Sequence, residues 1–472
     1  MSLIEGLLVF FAIIFIYVIL VAILYKKGIL KKYDVSLWGP ALLLRTKKGV
    51  SFLEKIASKR RFWKAFGNSG IVLCFVMMFV MMVVLIWQAW TVWGFTPAQI
   101  EKLPGIEFAL VLPGLNPVLP LEYIGYIILA LVVAIVAHEF SHGILTFVSK
   151  LKVKSLGILY LIIPLGAFCE PDEEQLKKTE PKHRMRIYAA GPTSNFVVVF
   201  VSILLLSFVF MSAVQPAADG IVAFSVDPDS PAESIGLQPG TIITSINDTQ
   251  ITTDIGYINA IELTKANQTI NLTYVKVGKT YTKNVTLGDR FEEYAKRSSI
   301  YLTNNESYKG KGYLGTSSLL RKTAFKEQLS ILKNPFAEFP KGLKEGLKGF
   351  LTFYVIPFMG YLQGYNPIVS PFTDSYAITG PLSIIPDNMF WIIVNALYWI
   401  FWLNLAVALF NVLPMIPLDG GYLFNDAVGS LIKRVKKGIS DEKREKAVKN
   451  ISLVVSLSIL LFIIFPYLIK YF

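Results

Sequence analysis

Six apolar runs dominate the chain and fix the solvent in which it must fold. Five are unbroken, at roughly 3–25, 71–94, 122–148, 187–214 and 451–469; a sixth, over 389–415, is apolar and aromatic but ends among prolines. Each reaches the ~20 residues a helix needs to cross a hydrocarbon core. A lipid interior offers no partner to an unpaired backbone N–H or C=O, so helix is the form required there. Composition agrees, with 54% of the 472 residues hydrophobic and only 17% charged, too few charges for an ordinary soluble globule. The expected fold class is an α-helical polytopic membrane protein of about six transmembrane helices.

The formal net charge of +13 does not indicate a nucleic-acid partner, because the basic residues gather in short stretches beside the apolar runs. Residues 26–70 hold twelve Lys/Arg against two acids, and 149–186 and 431–450 hold eight basic residues each, while 95–121 holds one. Alternation across six spans then puts all three basic stretches in the cytoplasm and both termini outside, in a multi-pass protein of the cell membrane. No basic residue precedes the first run and Lys26-Lys27 follows it, the reverse of a signal peptide. Residues 317–348 fit less well, with seven basic residues on the outer side. They suit an amphipathic surface segment, and Pro357 and Gly360 make 349–363 a re-entrant or interfacial piece rather than a seventh span. Cys74 and Cys169, the two cysteines, exclude a disulfide framework.

One long stretch, about 215–316, is not membrane-like. Ser230-Pro231-Ala232-Glu233 has the form of a capping box with Pro at the first helical position, and Gly236 can close that short helix. Residues 242–246 read as a strand entering an Asn247-Asp248 turn. A helix is expected near 254–265 with Ile255, Ile258 and Ile261 on one stripe. Ile270, Leu272 and Tyr274 alternate with polar residues, and Gly278 lies near a hairpin turn whose return strand holds Val285 and Leu287. This is a small α+β domain. Five of six N-x-S/T sequons fall in it, at Asn247, Asn267, Asn271, Asn284 and Asn305, in keeping with an external location.

The chemistry concentrates in His138-Glu139-Phe140-Ser141-His142, toward the predicted cytoplasmic end of the third run. Positions i and i+4 share a helix face, so both imidazoles can ligate one metal while Glu139 stands beside it, placed to take a proton from water. A catalytic zinc site uses three protein ligands. His183 lies in a basic stretch that opposes a cation, and Cys169 offers a thiolate but sits among apolar residues. Asp419 is the strongest candidate, within Asn411-Val412-Leu413-Pro414-Met415-Ile416-Pro417-Leu418-Asp419-Gly420-Gly421. A straight helix from 389 would carry it past the ~30 Å core. Pro414 and Pro417 must therefore turn the chain back toward the histidines.

With these residues in hand, the chain resembles the site-2 protease family of intramembrane zinc metalloproteases, which joins H-E-x-x-H on one span to N-x-x-P-x-x-P-L-D-G-G on a later one. Gly191-Pro192-Thr193-Ser194-Asn195 resembles the family's G-P-x-x-N element, Gly157 to Glu170 its re-entrant β-hairpin, and the insert its PDZ-like domain. The resemblance covers roughly 115–425. It implies one Zn2+ per chain held by His138, His142 and Asp419, with Glu139 activating water and Asn195 and Asn411 acting around the scissile peptide. It further implies single-span membrane proteins as substrates. Lys311-Gly312-Tyr313-Leu314-Gly315 resembles the loop with which PDZ domains hold a peptide C-terminus, so Tyr313, Leu314 and Gly315 become candidates for that role.

The expected organisation is an N-terminal pair of spans with a basic loop (1–94), the first part of a catalytic membrane core (95–214), an external PDZ-like domain (215–316), the second part of the core (317–430), and a basic loop with the last span (431–472). The polytopic H-E-x-x-H proteases that process prenylated proteins use a glutamate as third ligand and lack L-D-G-G, so the sequence argues against them. An ion- or proton-coupled transporter relaying through His138, Glu139 and Asp419 predicts internal repeats, which the sequence does not display. A catalytically inactive scaffold presenting the insert is the remaining alternative.

Overall fold

Where the apolar runs end and basic turns begin, the helices continue, because lysine and arginine are good helix formers once the chain leaves hydrocarbon. The computed structural model describes residues 3–32, 35–109, 114, 116–161, 164–296, 306–318, 324–356 and 366–471. Its principal helices are α1 (Leu3–Lys26), α2 (Arg60–Trp93), α3 (Ile124–Val148), α4 (Pro181–Ile203), α5 (Asp387–Asn411), α6 (Asp419–Val435) and α7 (Asp441–Leu468). Among the described residues five helical stretches are long and apolar enough to cross a membrane: Arg60–Trp93, Leu121–Val148, Pro181–Ala213, Asp387–Asn411 and Asp441–Leu468. They coincide with five of the six expected runs, and the first run forms α1. The run expected from 71 starts eleven residues earlier, at Arg60, and α4 continues past Ile203 as a π-helical turn over Leu204–Phe210. Ser440 caps α7 by accepting from Lys443 N, with Asp441 and Glu442 in the first turn.

The chain divides into two compact units, Met1–Ser202 with Trp399–Phe472, and Ile203–Tyr398. In the first, α2 lies close against α3 and α4. A side-chain carbon added at Gly70 would come within 2.5 Å of Thr193 Oγ1, and one at Gly67 within 3.0 Å of Leu145. Small residues at such crossings let helices that gain nothing from lipid exclusion gain from close packing. Cys74, Met78, Ala189, Val412 and Leu423 are buried together at this crossing. Outward faces keep large apolar side chains exposed, with Trp87, Trp90 and Trp93 grouped at one end of α2, where indole rings suit a membrane–water boundary.

Within the stretch expected to form a hairpin, β3 (Val153–Tyr160) and β4 (Pro164–Pro171) pair antiparallel, with Leu156 opposite Cys169 and Gly157 opposite Phe168. They belong to a larger antiparallel sheet than the sequence suggested. The stretch read only as a basic loop contributes β1 (Val35–Trp38) and β2 (Ala41–Thr46), giving the order β1-β2-β3-β4 with β4 at an edge.

The second unit holds the insert. Strands β5 (Ile221–Val226), β6 (Ile242–Ile246), β7 (Thr249–Gln250), β8 (Thr269–Lys276), β9 (Lys279–Thr286) and β10 (Thr316–Ser318) form a sheet of order β9-β8-β6-β5-β10, with β7 paired to β6. Ser230 accepts from Glu233 N as a capping residue for the short helix Pro231–Ser234, and Gly236 follows at φ +84°. Asn247 and Asp248 both take positive φ between β6 and β7, as a tight hairpin turn of this kind demands. Ile270, Leu272, Tyr274, Val285 and Leu287 are buried in one cluster as their alternation predicted. On the helix Asp254–Glu262, Ile261 is buried and Ile258 packs on the core as expected, but Tyr257 rather than Ile255 completes the inward face, leaving Ile255 62% exposed. In the same unit, 343–354 is a helix of 12 residues, short of a span. Pro357, Gly360 and the sequon at Asn305 lie outside the described residues.

Candidate metal centre

The i, i+4 spacing on α3 does what its geometry requires: the His138 and His142 rings lie 4.8 Å apart, centre to centre, on one face. Asp419 reaches them as the first residue of α6. Its Oδ2 is 2.9 Å from His138 Nε2 and 3.2 Å from His142 Nε2. Among the described residues these three form the one group whose ligand atoms converge, all within 4.8 Å of one another.

The return of the chain is built by the residues between the helices. The end of α5 tightens as Leu413 N bonds Phe410 O, and turns at Met415 and Leu418 follow, with Met415 N on Leu413 O and Leu418 N on Met415 O. This loop folds onto the start of α6 so closely that a side-chain carbon at Gly420 would meet Val412 O at 2.3 Å, and one at Gly421 would meet the Met415 carbonyl carbon at 2.6 Å. The two glycines after Asp419 are thus steric requirements of the fold-back, which delivers the carboxylate to the histidines. Arg184, at the start of α4, holds α6 through a forked bond to Asp426, 3.0 Å and 3.2 Å from Nε.

Two observations fit this set to a divalent cation. Asp419 Oδ2 is buried with no hydrogen-bond partner among the described residues, although both imidazole nitrogens lie within about a hydrogen-bond length, an arrangement a shared cation would satisfy. Opposite them α4 presents Gly191, where a side-chain carbon would sit 2.5 Å from the Nε2 atoms of both histidines. The chain thus keeps open the space before both Nε2 atoms. Two imidazoles and a carboxylate are a donor set suited to zinc.

The far nitrogens of both rings are also engaged. His142 Nδ1 lies 2.7 Å from Ile187 O, and His138 Nδ1 lies 3.2 Å from Asn195 Oδ1. Glu139 Oε2 accepts from Cys169 N of β4 at 2.9 Å. Cys169 itself packs with Leu53, Leu145 and Leu156 in an apolar cluster, and neither it nor His183 joins the converging group. Asn411 donates from Nδ2 to Val407 O, four residues back in its own helix. In the other unit, Leu314 is buried in the insert's core and Tyr313 hydrogen-bonds Asp227. The Leu314 and Gly315 carbonyls accept from Ala232 N and Asp227 N, each at 2.8 Å, and Gly315 holds φ +84°. Sequence reasoning missed Gly191 and Ile187. The G-P-x-x-N spacing carried the signal for the first, and nothing in the sequence marks a main-chain carbonyl.

Comparison with known proteins gives four findings. The family model for peptidase family M50 matches residues 126–462. An uncharacterised protein of Methanocaldococcus jannaschii is 28% identical over 396 residues, spanning 84% of this chain and 79% of that one. A Clostridium perfringens protein, provisionally named a zinc metalloprotease, is 24% identical over 340 residues, 70% of this chain and 89% of its own. Among solved structures, the PDZ domain of an SdrC-like protein from Listeria monocytogenes matches 22% of this chain and 90% of itself, at 20% identity and a TM-score of 0.17.

Proposed function

Given that the chain belongs to peptidase family M50, matched over residues 126–462, we propose that it is an intramembrane zinc endopeptidase hydrolysing peptide bonds within or near transmembrane segments of single-span membrane proteins. The observation that carries this reading is the convergence of His138, His142 and Asp419 beside Glu139, on elements that belong to or adjoin membrane-length helices. A metal, when bound, supplies Lewis acidity that makes water nucleophilic near neutral pH and polarises a carbonyl. His138, His142 and Asp419 would hold it.

Glu139 is the general base. The Cys169 amide fixes one carboxylate oxygen, leaving the other to take the proton of the attacking water and to pass it to the leaving amine. Asn411 is the group proposed to steady the carbonyl oxygen. An amide donor aimed at a developing oxyanion in a dry site contributes about 3–4 kcal/mol elsewhere. A transmembrane helix hides its own carbonyls, so cleavage needs an extended substrate. The edge strand β4, whose Cys169 amide already touches the base, offers backbone groups to which an unwound segment can add as a further strand.

The basic stretches support a cytoplasmic placement of the metal centre, with the insert and both termini outside. The insert is proposed to screen or gate substrates, with the Tyr313–Gly315 loop receiving a peptide C-terminus. A proton-coupled transporter would relay through His138, Glu139 and Asp419, but a glycine kept open against two metal-type ligands has no purpose in a proton relay.

The deciding experiment is metal analysis of the purified chain beside cleavage of model single-span substrates, with and without a chelator. The expected result is about one zinc per chain, with cleavage lost on chelation and restored by zinc. Full cleavage after complete metal removal would sink the proposal.

A further inference from the structure

We infer that Asn195 is a positioning residue for His138: its side-chain oxygen fixes the imidazole so that Nε2, not Nδ1, faces the metal. This rests on the reading of His138, His142 and Asp419 as the metal centre and assigns α4 a part in it.

Residues 187, 191 and 195 are spaced i, i+4, i+8 and so form one stripe along α4, drifting only about 40° per step. That stripe runs against the His138–His142 stripe of α3. Its two ends supply acceptors, Ile187 O to His142 Nδ1 at 2.7 Å and Asn195 Oδ1 to His138 Nδ1 at 3.2 Å. Its middle residue, Gly191, leaves room before both Nε2 atoms.

The chemistry at the two ends then follows. A neutral imidazole carries its proton on one nitrogen and a lone pair on the other, and only the lone pair can ligate. A main-chain carbonyl can only accept, so the bond to Ile187 places the His142 proton on Nδ1 and frees Nε2. The amide oxygen of Asn195 does the same for His138. Ligating histidines are commonly held this way through their second nitrogen, and removing such an acceptor typically weakens metal binding by about 10–100-fold.

The surroundings of Asn195 support the assignment. It is fully buried, so no bulk water can replace it as acceptor, and its Nδ2 has no partner among the described residues. Leaving a buried amide N–H unpaired is unfavourable. The side chain keeps that arrangement with its oxygen on His138. Thr193 and Ser194, its neighbours, bond main-chain carbonyls at Ala189, Gly191 and Ala137, which fastens the turn that presents Asn195.

A role at the scissile carbonyl would need the opposite end of this amide, its N–H group. Asn195→Asp separates the two, because a carboxylate accepts from His138 Nδ1–H but donates nothing. The test is the affinity of the full chain for Zn2+ and Co2+, measured by chelator competition, with the Co2+ absorption spectrum as a second readout. Asn195→Ala should bind about 10–100-fold more weakly and shift the Co2+ bands. Asn195→Asp should return the affinity to within a fewfold of the parent and restore the spectrum. If Asn195→Ala does not fold, Asn195→Leu, similar in shape and lacking the acceptor, takes its place against Asn195→Asp. Parent-like affinity and spectrum in the Ala or Leu variant would overturn the assignment, as would failure of Asp to rescue. A parent chain that binds neither ion would instead sink the metal-centre reading itself.

Discussion

Replacing Gly191 by alanine should separate metal binding from stability, and the structure sets the size of the effect. The added methyl would lie 2.5 Å from Nε2 of both His138 and His142 and 2.6 Å from His138 Cε1. Optimal contacts between such atoms are nearer ~3.5 Å, so each overlap approaches about 1 Å. α4 cannot move away freely, since Thr193, two residues on, is packed against Gly70 of α2. Overpacking of this kind costs about 1–3 kcal/mol. Without metal the imidazoles can turn aside, whereas with metal both Nε2 atoms must point into the occupied space. The strain therefore falls on the bound state and weakens zinc binding roughly 10- to 100-fold, at about 1.4 kcal/mol per decade. Helix propensity predicts the reverse for the metal-free protein, because alanine is favoured over glycine by ~0.8–1 kcal/mol. The assay is a pair of measurements on detergent-solubilised protein: zinc affinity by chelator competition, and thermal unfolding of the metal-free form. A variant that binds zinc like the parent would show that the 2.5 Å approach is not a feature of the working site, and the steric account of Gly191 would fall.

The parts of this protein that were legible in its sequence are those decided by short-range periodicity. Hydropathy over ~20 residues located the long helices, the i, i+4 histidines needed only helix geometry, and the prolines before Asp419 required a fold-back that the loop 412–418 carries out. Strand 242–246 was readable because its apolar run ends at an Asn-Asp turn. What escaped depended on partners distant in the chain. Leu42 and Leu43 pair with Tyr160 and Leu159, more than a hundred residues away, and four to six residues of mixed character do not announce a strand without that partner. Ile255 failed for a smaller reason. Ile258 and Ile261 suit a face completed by either Ile255 or Tyr257, and the sheet beneath, not the helix, selects Tyr257. The tie between Asn195 and His138 required knowing that α3 and α4 cross with these residues level, which no local pattern encodes.

Three further outcomes are expected. Glu139→Gln should keep zinc near parent occupancy while cleavage falls by about 10²–10⁴-fold, whereas Asp419→Ala should lose zinc itself, as read by metal analysis beside a single-span substrate assay. In the insert, the hydrogen bond from Arg290 holds the Glu262 carboxyl below its ordinary 4.5. A depressed acid stabilises above its unfolded pKa and loses that contribution as pH falls through the folded value. Hydrogen-exchange protection of β8 and β9 should therefore weaken below about pH 4.5 by no more than ~1 kcal/mol, the pair being partly exposed, and Glu262→Gln should flatten the response. The last outcome concerns the insert as a whole. Every candidate ligand and the base lie in the unit Met1–Ser202 with Trp399–Phe472, and the insert lies in Ile203–Tyr398. Its excision must spare the strand Val214–Pro216, which pairs with Tyr376–Ile378, so the deletion should run from 219 to 318 with a short Gly/Ser bridge. Phe372, which packs on Phe224 of β5, would be uncovered and should be changed to a polar residue in the same variant. Such a protein should retain its zinc and cleave some single-span substrates faster and others more slowly than the parent, as loss of a screening element requires. A folded deletion variant without zinc would show that the insert helps to build the metal centre, and an unchanged rate on every substrate would show that it screens none of them.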